Sequence, residues 1–465
     1  MNGINKDDVL VVAEEAESSE RKALLTLFWC TTGPGWMHKS GWQDGDNDLG
    51  EWCGVGLDPN DDAVTLIDLR RNGLSGALPP EIGDLKSLRH LYLGDNELQG
   101  SIPKSMGNLS ELCILSLRGN KLKGDIAPEL GDLRALRTLS LRDNHLSGII
   151  PPQLGKLTAL RHLFLNNNSI RGPIPEELSQ LEELSQLFLA DNELEGPIPE
   201  SLGCLMRLEE LVLSGNKLTG GIPIDLADLT RLTRLEMDGN RLTGHVPPGL
   251  CALSSLKVLY LNNNGLTGPI PCELGMLSWL ERLDLSENRL TGNIPPELGQ
   301  LFSLELLILN NNKLTGPIPC ELGRLHHITL LLLNGNQLTE APPIVGGKGL
   351  RQWQISQRKA FLNGWSMMDR LTHLESENAQ LRKENDLLRK SISNGKATPV
   401  IPHLHSSRSK HNDVPSSSLA ISTVTRTMSV KTEDVNGIAT LPPLAPCEWA
   451  RPLSSSGEGD GSKGG

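Results

Sequence analysis

At 465 residues, a chain of average composition would divide into about three domains. The formal charge is −12, from 56 acidic against 44 basic residues, which argues against a general binder of nucleic acid or anionic membrane. Aromatic residues make up only 3 %, so any large core must be aliphatic, and no apolar run reaches the ~18 residues needed to span a bilayer.

Residues 1–18 carry no hydrophobic period and read as a disordered N-terminus. Met1–Lys22 is mostly acidic and polar, and its best apolar run, Val9–Ala13, follows Asp7 and Asp8 where a secretory leader has basic residues. The expected location is therefore cytoplasmic; secreted or cell-surface placement is the alternative if the start codon is mis-assigned. Residues 19–63 read as an N-terminal cap. Within it, Ser19–Cys30 predicts a short amphipathic helix, broken by Thr31-Thr32-Gly33-Pro34-Gly35. Trp29, Trp36, Trp42 and Trp52 are half of the chain's eight tryptophans, and large rings suit a lid over an exposed core. Asp44–Asp48 spaces its oxygens like the start of a calcium loop. Leu49 stands where that loop needs glycine and Val55 where it needs a bidentate glutamate, so no metal site is predicted.

Residues 64–340 repeat every 24 positions. Asparagine recurs at Asn72, Asn96, Asn120, Asn144, Asn168, Asn192, Asn216, Asn240, Asn264, Asn288, Asn312 and Asn336. Before each lies L-x-x-L-x-L, as in Leu88, Leu91 and Leu93. The alternation of Leu91 and Leu93 with Tyr92 predicts a short strand with the leucines inward. One unit cannot bury its leucines alone, but stacked units can, so the array predicts a solenoid. The asparagine amides are expected to satisfy backbone groups that no sheet ladder reaches. The glycine four residues on, as at Gly76 and Gly100, predicts a backbone conformation closed to other residues. The proline seven on, as at Pro79 and Pro103, fixes an extended convex side.

The step L-x-G-x-I-P, carried for example by Leu98, Gly100, Ile102 and Pro103, resembles the plant-type leucine-rich repeat family, found in receptor-kinase ectodomains and polygalacturonase-inhibitor-like proteins. The resemblance spans residues 64–338 and extends over the cap through its helix and Trp52-Cys53-Gly54-Val55. It implies an α/β solenoid: a leucine-rich repeat arch of about twelve repeats, with a concave parallel sheet and an N-terminal helical cap. Functionally it implies a non-enzymatic scaffold that binds a protein or peptide on that sheet, in signalling or defence; the alternative is a receptor-like or inhibitor-like extracellular protein, with Asn108 and Asn167 as glycan acceptors. The family's flanking cysteine pair is not reproduced. Cys113, Cys204, Cys251, Cys272 and Cys320 are scattered through the repeats, and only Cys30 and Cys53 are placed to pair.

Residues 341–363, with Trp353 and Phe361, read as a C-terminal cap or linker. In 364–393, Met367, Leu374, Leu381 and Leu388 recur every seven residues, with Leu371, Asn378 and Asn385 as the second seam position. This leucine-zipper-like coiled-coil helix, with buried asparagines, predicts a parallel homodimer. The preceding stretch is sparsely basic and contains Gly364, so it is no DNA-reading basic region. Residues 394–465 read as a disordered Ser/Pro/Gly-rich tail.

No nucleophile, dinucleotide, metalloprotease or kinase motif occurs; no enzyme, cofactor or metal is predicted. The candidate site is the outward face of the strands. Both tyrosines of the chain and two of its five phenylalanines fall there, at Tyr92, Tyr260, Phe164 and Phe188, where aromatics serve as binding anchors. Arg70, Arg118 and Arg142, with Arg89, Arg137 and Arg161 beside them, make the first half basic. Glu209, Glu210, Glu236, Asp238, Glu281 and Asp284 make the second half acidic, a polarity able to orient an extended polypeptide.

Overall fold

The computed structural model describes residues 19–43 and 48–339. Each repeat gives one short strand, three residues long after the five of Val64–Asp68, to a long sheet, which among the described residues has thirteen strands, from Val55–Leu57 in the cap to Leu330–Leu332. The first strand runs antiparallel to Val64–Asp68; every later neighbour is parallel and offset by one repeat, so that Leu91, Leu115, Leu139 and Leu163 lie side by side. These leucines are fully buried, as are Leu88, Leu93 and their equivalents. The core is thus a stack of identical leucine layers, as the spacing requires.

The asparagine column forms a ladder. Asn192 is typical: its Oδ1 accepts from the Ile170 N–H at 3.0 Å, and its Nδ2 donates to the carbonyls of Leu165, Leu189 and Ala190 at 3.0–3.1 Å. The same pattern runs from Asn120 to Asn336. Asn72, with no full repeat before it, turns to the cap, accepting from the His38 N–H and donating to the His38 carbonyl.

Two glycine columns have different causes. Gly76, Gly100, Gly124 and their equivalents through Gly316 hold φ between 72° and 116°, the left-handed region expected of them. Gly83, Gly107 and Gly131 sit in 3-10 turns, such as Pro80–Asp84, that follow the repeat proline. Here the cause is proximity: a Cβ on Gly131 would stand 2.3 Å from the Gln153 carbonyl oxygen of the next turn.

The helix Ser19–Cys30 forms as predicted. Phe28, Trp36, Trp42 and Trp52 pack together over the first repeat, Phe28–Trp36 and Trp36–Trp42 edge to face and Trp42–Trp52 tilted, with ring centroids 4.9–5.0 Å apart. The Trp36 indole donates to the Thr31 carbonyl and that of Trp42 to the Cys53 carbonyl. Trp29 does not join the lid; it is 63 % exposed. Cys30 and Cys53 form no disulfide, nor does any other cysteine among the described residues. Among those residues no helix is long and apolar enough to cross a membrane. The heptad of 364–393, with Met367, Leu371, Leu374, Asn378, Leu381, Asn385 and Leu388, lies outside the described residues, as do the tail and most of the candidate calcium loop.

Candidate functional site

Each strand of the long sheet turns its middle leucine into the core and its first and third residues outward. The third-residue column is the predicted one. The first-residue column, which includes His90, Thr138, His162, Gln186, Glu210, Arg234 and Arg282, is set directly beside it. Its signal was present in the same two-residue alternation that placed Tyr92.

The aromatics lie in three places. Tyr92 stacks on His90 within its own strand, at 6.3 Å and 5°, and the Arg70 guanidinium covers its ring at 4.9 Å. Phe164 stacks on His162 in the same way, at 6.1 Å and 5°, and meets Phe188 edge-on at 5.2 Å. Tyr260 stands three repeats further on. Phe188 corrects the expectation of an exposed anchor: it is only 7 % exposed, packed edge-on against Phe164 of the neighbouring strand. Between Tyr92 and Phe164 the column dips to Ser116 and Ser140. The sheet thus offers two ring-bearing ridges about a shallow polar floor.

The arginines are largely neutralised within the chain. Arg70 forms a bidentate pair with Asp68, at 2.8 and 2.6 Å. Arg89 reaches Glu111 at 3.1 Å and Asp58 at 3.5 Å, Arg118 reaches Asp95 at 3.3 Å, and Arg142 reaches Asp143 at 3.6 Å. The basic character expected from counting these four is therefore muted. In the acidic half, Arg234 pairs with Glu236 at 2.7 Å and Glu210 at 3.7 Å, and Gln186 donates to Glu210 at 2.7 Å. Asp238 and Asp284 have no cation partner among the described residues. Asp238 accepts from the Ser214 hydroxyl, and Asp284 from the Ser286 hydroxyl and N–H. Burial, chiefly, pushes both carboxyls up to about 6.

Burial also raises the Tyr92 and Tyr260 phenols and lowers the His90 and His162 imidazoles. The histidines are therefore neutral rings at pH 7, suited to stacking. Among the described residues no cluster of His, Cys, Asp or Glu is arranged to hold a metal ion.

Family models described as leucine-rich repeat match residues 62–122 and 134–194, and in single units 207–229, 231–253, 255–277, 279–301 and 303–325. No curated protein sequence matches the chain. Among solved structures, it is similar to the leucine-rich repeat ectodomain of the membrane receptor kinase GASSHO1/SCHENGEN3 from Arabidopsis thaliana, in complex with CASPARIAN STRIP INTEGRITY FACTOR 2. Identity is 40 %, with a TM-score of 0.58 over 61 % of this chain and 34 % of that one. It is also similar to PEPR1 in the PEPR1-AtPEP1 structure, at 36 % identity and TM-score 0.62 over 70 % and 49 % of the two chains. A third is the Arabidopsis receptor kinase HAESA, in complex with the peptide hormone IDA and the co-receptor SERK1, at 34 % identity and TM-score 0.58 over 72 % and 60 %. The chain spans between a third and three fifths of the length of these relatives.

Proposed function

The chain belongs to the leucine-rich repeat family, in its plant-type form, and from that premise we propose that it is a non-catalytic recognition protein whose long sheet binds an extended peptide or protein segment. The observation that carries this reading is the rigid outward face on which Tyr92 with Arg70, and Phe164 with His162, form ring surfaces above Ser116 and Ser140. Rings held by their neighbours lose little freedom on binding, which makes them efficient anchors. One of the similar structures holds the peptide hormone IDA, which supports a peptide ligand here. Homodimerisation through 364–393 would double the contact and add avidity.

The test is to select peptides from a displayed library against the full chain and measure their affinity by calorimetry. Combining Tyr92→Ala, Phe164→Ala and Tyr260→Ala is expected to weaken binding at least tenfold with the circular dichroism unchanged. Equal affinity of the triple variant would remove the sheet from the reading. On location, the solved relatives include a leucine-rich repeat ectodomain, which favours the secreted or cell-surface alternative over the cytoplasm. Asn108 and Asn167 are exposed. A glycosidase-sensitive mass shift lost in Asn108→Gln and Asn167→Gln decides for that alternative, and an unshifted mass in the native tissue decides against it.

A further inference from the structure

Of the six arginines expected to make the first half basic, Arg70, Arg89, Arg118 and Arg142 are paired within the chain. Arg137 and Arg161 stand one residue before the strands Thr138–Ser140 and His162–Phe164, in neighbouring repeats, and both are exposed. Among the described residues neither makes an ion pair. The reason is specific to this sequence. Arg89, in the same column, is held by Glu111, 22 residues on. The position 22 residues after Arg137 is Ala159, which has no carboxylate. The one after Arg161 is Glu183, which is engaged by Arg207 at 2.6 Å.

The backbone fixes the spacing of the pair. The Arg137 carbonyl accepts from the N–H groups of Arg161 and His162, at 2.8 and 3.1 Å, which sets the two residues one strand apart, roughly 4.8 Å. Two like charges held that close repel each other, and an anion bridging them relieves this. In the next position of each strand, the His162 imidazole lies 3.1 Å from the Thr138 hydroxyl and stacks on Phe164, a ring surface one residue on from the charges.

We propose that Arg137 and Arg161 take two neighbouring carboxylates of an extended acidic peptide whose following apolar side chain rests on His162 and Phe164. The proposal rests on the peptide-binding reading above and assigns its ligand class and docking point. An acetylated, amidated, fluorescein-labelled octapeptide containing Glu-Glu-Leu serves as the probe, with Gln-Gln-Leu and Lys-Lys-Leu versions as controls; the blocked ends keep terminal charge out of the comparison. Fluorescence anisotropy with the full chain is expected to rank Glu-Glu-Leu above Gln-Gln-Leu by about five- to tenfold at low salt, with Lys-Lys-Leu weakest. The difference should shrink in 0.5 M salt and vanish in Arg137→Gln/Arg161→Gln, whose exposed positions leave the fold intact. Equal binding of the three peptides overturns the proposal. A Glu preference retained in Arg137→Gln/Arg161→Gln also overturns it, and leaves the sheet reading standing if Tyr92→Ala/Phe164→Ala/Tyr260→Ala still weakens binding.

Discussion

Removing one rung of the asparagine ladder tests the physical basis of the fold. In Asn192→Ala, the carbonyls keep partners: that of Leu165 still accepts from Asn168 Nδ2, that of Leu189 from Asn216 Nδ2, and that of Ala190 from the Asn167 N–H. The Ile170 N–H loses its acceptor, the Asn192 Oδ1 at 3.0 Å. A buried donor left without a partner costs about 1–3 kcal/mol, and the lost side-chain packing brings the total to about 2–4 kcal/mol. Asn192→Asp keeps an acceptor for Ile170 but turns a second carboxylate oxygen toward three carbonyls. Its folded pKa must therefore rise above the unfolded ~3.9. The native state then holds the proton more tightly than the unfolded chain, so stability is greatest below that value and falls as pH rises through the folded pKa.

Because repeat arrays do not always unfold in one step, the primary measurement is hydrogen exchange of the Ile170 amide by mass spectrometry, with urea unfolding alongside. Exchange at Ile170 should accelerate by about two orders of magnitude in Asn192→Ala, and Asn192→Asp should be less stable at pH 7.5 than at pH 5. Asn336→Ala, at the half-buried last rung, should cost clearly less. An Ile170 amide as protected as in the native chain, or equal costs at the two rungs, would refute the reasoning.

Other perturbations have equally direct readouts. Asp238→Asn keeps an acceptor for the Ser214 hydroxyl but removes a carboxyl raised to about 6. That group's native state favours the proton, so the native protein loses stability as pH rises from about 4 through 6. The variant should gain about 1–2 kcal/mol at pH 7.5 and show a flatter stability profile between pH 5 and 7, by denaturation at each pH. Gly131→Ala places a methyl 2.3 Å from the Gln153 carbonyl oxygen. It should cost about 1–3 kcal/mol by urea unfolding, whereas Ala227→Gly, at a position whose neighbours already accommodate a Cβ, should not stabilise. Trp42→Ala empties the centre of the lid, where Trp42 is fully buried. It should cost about 3–5 kcal/mol and open the amides of 64–68 to exchange while those near Asn240 stay protected.

What could be read in advance was what repeats. A column of leucines, asparagines or left-handed glycines is imposed unit after unit by the same local physics, so any one unit reveals the others. The second glycine column shows the limit. Gly131 and Gly76 look alike in sequence, but one answers to a neighbouring carbonyl and the other to its own φ. Ser179, Ala227 and Cys251 occupy the first kind of position, which would be impossible at the second without strain. The lid was legible as a cluster of tryptophans, but not that Trp29 turns outward, since a helix residue's direction depends on what packs beside it.

The recognition surface was least legible, for a reason that follows from the same periodicity. Counting charges down a column treats each residue alone, yet a charge matters to a ligand only after its neighbours have taken their share. Arg70, Arg118 and Arg142 each find a carboxylate within two residues or one repeat. Arg137 and Arg161 do not, because Ala159 carries no carboxylate and Glu183 is already engaged by Arg207. In a solenoid the regular positions build the scaffold, and recognition is left to the places where an expected partner is missing. The unpaired arginines beside Ala159, and the small side chains at Ser116 and Ser140 next to the rings, are therefore where a ligand should be sought. If alanine substitution of outward residues that already have a partner within the chain, such as Asp95 and Asp143, weakened a bound peptide as much as substitution at Arg137 and Arg161, that rule would fail.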